Sequence, residues 1–177
     1  MRKVILALAM SLDGYVAREN GAVDWLQMSD LTEGKDEMNE FFDSIDAIFY
    51  GRKTYEKGLE MTGGKDLYGE RIMNYVFTRT PRRSERRNLQ FVSENVVGFV
   101  EDLKRGVGKN ILLMGGGDLA KTFFEVGLID ELILGIQPTI LGSGLPLFLP
   151  HEKQSDLERV DVKLRKSGSV QITYRLK

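Results

Sequence analysis

The sequence predicts a three-layer α/β domain on a mixed, mostly parallel sheet with antiparallel strands at its C-terminal end. Three observations lead there. Short apolar runs at Lys3–Met10, Ala47–Tyr50, Tyr75–Thr78, Leu89–Val92, Ile111–Met114 and Glu131–Ile136 alternate with segments of helical periodicity, the pattern of crossover-connected parallel strands. Two of those runs turn through glycine straight into a helix, at Gly51-Arg52-Lys53-Thr54 and at Gly115-Gly116-Gly117-Asp118-Leu119. Beyond residue 137 the alternation stops, and Asp161–Leu164 and Val170–Leu176 read as a hairpin joined at Lys166-Ser167-Gly168.

Lys3–Met10 is continuously apolar, as suits a strand buried on both faces. Ser11-Leu12-Asp13-Gly14 breaks it with turn chemistry, and a loop runs on to Asp24-Trp25, a core, lid or pocket residue and the only tryptophan. Asp30-Leu31-Thr32-Glu33 has the pattern of a capping box. After it, Met38, Phe41, Phe42 and Ile45 share one helical face, while Asp36, Glu37 and Glu40 lie on the other side or its edge and are expected to be solvated. Leu59–Arg71 reads as a polar loop. Ser93 or Asn95 should cap a helix that turns Val96, Val100 and Leu103 inward and stops at Gly106. The helix after the glycine triplet carries Leu119, Phe123 and Val126 on one side and should end at Gly127. No repeat, low-complexity segment or linker appears, so residues 1–177 are expected to form a single domain.

Composition narrows the chemistry. Hydrophobic content of 42%, charged content of 29% and a net charge of −1 suit a globular protein without a nucleic-acid footprint. The absence of cysteine excludes disulfides and cysteine metal sites, and the single His151 argues against histidine metal centres or a Ser-His-Asp triad, so no metal is expected. The apolar window Leu132–Leu149 is interrupted by Pro138 and Pro146 and does not read as a membrane span. Met1 leads directly into a strand, so no signal peptide and a cytoplasmic location are expected.

Glycines between a strand and a helix leave backbone N–H groups free to meet an anion, and the helix dipole favours it. Gly115, Gly117 and Ala120 fit the dinucleotide pattern G-x-G-x-x-A, but the next strand ends in Gln137-Pro138 rather than in an acid. Gly115…Ala120-Lys121-Thr122 misses the phosphate-binding P-loop by one residue, which weakens a phosphotransfer reading. What stands is a turn that holds a cofactor pyrophosphate in another fold, or a plain strand-to-helix turn. At Gly51, Arg52 and Lys53 place cations at a helix start, where they oppose the dipole; a bound anion would remove the conflict. Arg79 begins a run of five arginines in nine residues, suited to a further phosphate; Arg79, at the strand end, is expected to serve it, and the other four to be solvated.

Four pieces, in order along the chain, resemble the dihydrofolate-reductase fold and within it the reductase domain of bacterial riboflavin biosynthesis. They are Ser11-Leu12-Asp13-Gly14-Tyr15-Val16-Ala17, Gly51-Arg52-Lys53-Thr54-Tyr55, Phe77-Thr78-Arg79-Thr80-Pro81, and Gly115-Gly116-Gly117 continuing to Gly127-Leu128-Ile129-Asp130-Glu131-Leu132 and Pro138-Thr139-Ile140-Leu141-Gly142. The resemblance implies an NADPH-dependent reductase. Its pyrophosphate would lie on Gly115, Gly116, Gly117, Asp118 and Leu119, its phosphates on Gly51, Arg52, Lys53 and Thr54, and its 2′-phosphate on Thr78 and Arg79. Ala9, Val16 and Ala17 would flank the nicotinamide, and hydride would pass to a C=N or C=C bond of a flat heterocycle. Asp13, Asp24 and Asp36, or water held near Trp25, are the candidate proton donors; Asp24 and Trp25 would line the substrate pocket. Lys35 stands where folate reductases carry an acid, with Asp36 beside it, and Met114 where riboflavin-pathway reductases carry one. A nucleotide-binding sensor without turnover is the alternative. The apolar Pro138–Pro150 segment and the last strands are expected to pair two copies in a homodimer.

Overall fold

A computed structural model describes residues 1–26, 34–65 and 68–177. Its main sheet holds eight strands in the order β5-β4-β3-β6-β1-β7-β10-β9. These are β1 (Val4–Ser11), β3 (Ile45–Gly51), β4 (Met73–Phe77), β5 (Leu89–Val92), β6 (Asn110–Gly115), β7 (Glu131–Gln137), β9 (Leu157–Leu164) and β10 (Val170–Leu176). The first six named here run parallel to one another; β10 is antiparallel to both β7 and β9. The short β2 (Tyr15–Ala17) and β8 (Leu145–Pro146) pair separately. The predicted fold class is therefore the observed one.

Helices α1 (Lys35–Asp43) and α2 (Arg52–Met61) cover one face, and α3 (Val96–Arg105) and α4 (Gly117–Glu125) the other. Alternation along the strands sorts the core. Phe49, Ile111, Leu113, Phe123 and Phe124 build one half with α3 and α4, whereas Ile48, Tyr50, Tyr55 and Leu112 build the other with Phe41, Phe42 and Leu59. Apart from the partly buried Phe41, Phe42 and Leu59, these side chains are almost fully withdrawn from water, which supplies most of the driving force for this layering.

Several boundaries differ from expectation. The capping box at Asp30–Glu33 lies outside the described residues, and Ile45, expected on the first helix, opens β3 instead. The loop expected from Leu59 begins later, because α2 continues to Met61. β9 starts at Leu157, four residues early; its alternation of charged and apolar residues, exposed along nearly its whole length, hid the strand. Asn95 occupies the N-cap of α3, but with a left-handed φ of 45° and no side-chain cap bond. At the far end of α4, Gly127 (φ 71°) accepts the left-handed turn, and the Leu128 N–H closes onto the Phe123 carbonyl at 2.9 Å, as a Schellman stop requires.

Candidate cofactor and substrate site

The parallel strands β3 and β6 are neighbours and end together, so the helices that follow them start side by side. Gly51 and Gly116 are the N-caps of α2 and α4, and neither offers a side-chain cap. The first N–H groups of both helices are thus left for another acceptor. The two turns touch: a Cβ on Gly51 would come within 3.3 Å of the Gly116 nitrogen, and one on Gly116 within 3.0 Å of Thr54 Oγ1. The Gly115–Gly116 peptide is cis, and Gly115 has a φ of 94°. A Cβ on Gly117 would sit 3.4 Å from Leu149, which places the 145–149 segment beside the turn. This cradle of paired helix starts, a threonine hydroxyl and bare backbone fits a pyrophosphate.

Charge around the cradle is divided. Arg52 Nη1 donates to Glu56 at 2.5 Å, and Arg82 joins the same carboxylate at 3.2 Å, so Glu56 is held below its ordinary range by both guanidiniums. Lys53 and Arg79 are exposed and make no ion pair among the described residues. Thr78 accepts from the Thr80 N–H at 3.2 Å, which sets the turn carrying Arg79. Of the arginines expected to be merely solvated, Arg82 and Arg86 are engaged, the latter donating to the Gly64 carbonyl at 2.9 Å. Asp118 is exposed in the first turn of α4, and Leu119 packs into the core; any anion contact there is through their N–H groups.

On the other side of the turn, the loop after β1 is tied to the loop after β7. Leu12 N–H donates to Thr139 and Leu147 N–H to Gly14, while β2 pairs with β8. Asp13 fastens both: its carboxylate accepts from Ser11 Oγ at 2.6 Å and from the N–H groups of Leu141 and Gly142 at 3.1 and 2.8 Å. The Ser11 bond and those two N–H groups hold its pKa below the usual carboxylate value. Asp13 therefore acts as an ionised loop clamp. Asp24 is exposed and bound to Arg18 at 2.7 Å, which likewise lowers its pKa. Trp25 is 8% exposed, and its indole N–H has no hydrogen-bond partner among the described residues. Val16 packs on the core beside Leu8 and Met10.

On α1, Asp36 and Lys35 are both exposed. The carboxylate that turns toward the sheet is the next one, Glu37, expected to be solvated. It takes two bonds from Arg165, at 3.1 and 2.7 Å, and one from Lys163 at 2.8 Å, and these push its pKa down to about 2. Nothing in the helical pattern distinguished Glu37 from its neighbours, because its partners lie at the end of β9 and just after it, more than 120 residues away.

Residues 2–177 match the model of the RibD C-terminal domain. The chain belongs to the RibD C-terminal domain family. Among curated proteins this RibD C-terminal domain is similar to the uncharacterized YyaP of Bacillus subtilis (strain 168), 37% identical over 98% of this chain and 94% of that one. Among solved structures it resembles a protein of Shewanella sp. PV-4 assigned to riboflavin biosynthesis (TM-score 0.83, 25% identity, 99% of both chains). The diaminohydroxyphosphoribosylaminopyrimidine deaminase/5-amino-6-(5-phosphoribosylamino)uracil reductase of Thermotoga maritima shares the fold at a TM-score of 0.74 and 17% identity, over 99% of this chain and 57% of that one. Dihydrofolate reductase of Enterococcus faecalis, complexed with NADP(H), shares it at 0.67 and 17% identity, over 99% and 96% of the two chains. The RibD C-terminal domain thus has the dihydrofolate-reductase-like architecture that the motifs implied. No described helix is long and apolar enough to cross a membrane, and no group of metal-ligating side chains occurs among the described residues.

Proposed function

We propose that this protein is an NADPH-dependent reductase acting on a small pterin- or pyrimidine-like heterocycle. The observation that carries this reading is the meeting of two uncapped helix N-termini across Gly51 and Gly116, where an added Cβ would crowd the facing turn. Family membership supports it. Gly51, Thr54 and Gly115–Leu119 would hold the pyrophosphate, Arg52 and Lys53 would balance its charge, and Thr78 and Arg79 would meet the 2′-phosphate. When bound, the dinucleotide supplies hydride for a C=N or C=C bond. Ala9 and Val16, small side chains near the ends of β1 and β2, would border the nicotinamide.

The carboxylates favour water as the source of the proton. Asp13 and Asp24 are held below the ordinary range, and Glu37 is ionised throughout the neutral range. A general acid would need the opposite shift. The buried Trp25 N–H, without a protein partner among the described residues, offers a donor that could orient such a water.

Titration of NADPH and NADH, followed by quenching of Trp25 fluorescence, tests the cofactor assignment. Wild type should prefer NADPH, and Arg79→Ala should weaken NADPH about tenfold or more while leaving NADH unchanged. Equal affinities in the two proteins would remove Arg79 from the site. A nucleotide-binding sensor is the second reading, favoured by the ionised state of these carboxylates; hydride transfer to any pterin or pyrimidine would exclude it.

We also infer a homodimer. Val160, Val162 and Leu164 on β9 and Ile140, Leu145 and Phe148 in the segment after β7 are 41–78% exposed, more apolar surface than a monomer usually shows. Light scattering should return twice the 20.0 kDa chain mass, and a monomeric mass would count against it.

A further inference from the structure

The parallel strands end at the glycine turns and begin at the opposite edge of the sheet. At that far edge a cavity of about 460 Å³ opens between the turn after α4, the segment leading into β9 and the end of β10. Lys3, just before β1, closes one side. Two backbone bonds tie the walls together. The Leu176 N–H donates to the Asp130 carbonyl and the Lys177 N–H to the Asp156 carbonyl, each at 3.1 Å. The cavity is thus built by the fold itself, and none of its residues belongs to the glycine turns.

Its carboxylates are largely committed. Asp130 holds Lys104 at 2.8 Å and the Val4 N–H at 2.7 Å, and Glu131 takes Lys3 at 2.6 Å. Asp156 accepts from Gln154 at 3.2 Å. The cations are not committed. Arg175 lies 3.9 Å from Glu131 and 3.5 Å from Glu158, and its guanidinium makes no hydrogen bond among the described residues. Lys153 has no ion pair there either, yet its place is set. A Cβ on Gly127 would lie 3.5 Å from its Nζ, so the ammonium rests on the C-terminal end of α4, where the helix dipole favours it. Ser155 adds a hydroxyl with no partner among the described residues.

We propose that this cavity binds a small phosphorylated molecule. Arg175 supplies a planar fork for two phosphate oxygens, Lys153 a second positive charge and Ser155 a hydroxyl donor. The volume suits a phosphate ester rather than a bare ion, and Ile129 and Leu176 give the ester's carbon part an apolar wall. Glu131 is a positioning residue. Because Lys3 meets its charge, the Arg175 fork stays free for the ligand.

Inorganic pyrophosphate and glycerol phosphate serve as probes, with glycerol as the uncharged control, in calorimetry at constant ionic strength. Both probes should bind wild type and Gly116→Val alike, and glycerol should not bind. Lys153→Met and Arg175→Gln should each weaken both probes about tenfold while NADPH affinity and melting temperature hold, since both side chains reach solvent. Glu131→Gln should tighten them about threefold by releasing Lys3 beside Arg175, a gain that general destabilisation would not produce. Unchanged probe affinity in both Lys153→Met and Arg175→Gln would overturn the assignment, as would a wild type that binds neither probe at millimolar concentration. Probe binding lost in Gly116→Val but kept in Arg175→Gln would place the phosphate on the glycine turns and overturn it equally.

Discussion

Gly116→Val is expected to lower NADPH affinity about 100-fold while the protein still folds. A single Cβ at this position already lies 3.0 Å from Thr54 Oγ1, so a branched side chain must displace the threonine or the turn. Either movement separates the two helix starts that would share one anion. The side chain would also stand between the N–H groups and the phosphate oxygens. Lys53→Met provides the comparison, since it removes a charge but leaves the cradle intact; it should cost severalfold, with a steeper loss at low salt. Both variants can be followed by the Trp25 fluorescence titration. Unchanged NADPH affinity in Gly116→Val would mean that the glycines shape a turn and no cofactor lies on it.

Asp130→Ala is expected to be the most destabilising single substitution outside the apolar core, at about 3 kcal/mol. Asp130 joins three elements. One oxygen accepts from the Val4 N–H at 2.7 Å, and the carboxylate holds Lys104 Nζ at 2.8 Å. The Lys104 side chain is 8% exposed and has the Leu128 carbonyl at 3.3 Å as a further acceptor. Removing the carboxylate leaves an ammonium among apolar groups, and that penalty exceeds what the intact pair contributed. Because Asp130 is itself 31% exposed, the expected loss lies at the low end of the range for buried pairs. The melting temperature should fall by about 6–12 °C. Lys104→Met should cost less, since the carboxylate it abandons can reach water, and adding it to Asp130→Ala should recover part of the loss. A loss below about 1 kcal/mol in urea unfolding of Asp130→Ala would show that the ammonium finds water without the carboxylate.

The turns proposed to hold the cofactor were legible because they are built from local signals. Gly51-Arg52-Lys53-Thr54 and Gly115-Gly116-Gly117 each combine a strand end, a turn and a helix start within a few residues, and backbone N–H groups do their work without a distant partner. The groups proposed to lie near the substrate come from separate stretches of chain. Asp13 looked like a proton donor until its contacts with Leu141 and Gly142, 128 and 129 residues away, showed it to be an ionised clamp. Asp36 and Glu37 are adjacent on one helix, and only the position of Lys163 and Arg165 decides which of them faces the sheet.

By itself the sequence determined the α/β class, the glycine turns that follow β3 and β6, and the hairpin at the C-terminal end. Apolar periodicity and backbone turn chemistry act within a few residues of each other. Tertiary structure alone decided that those turns meet and that the Asp13 carboxylate is bound by the loop after β7. Both depend on strand order and register, which bring together groups far apart in sequence and so leave no pattern in any short stretch of chain.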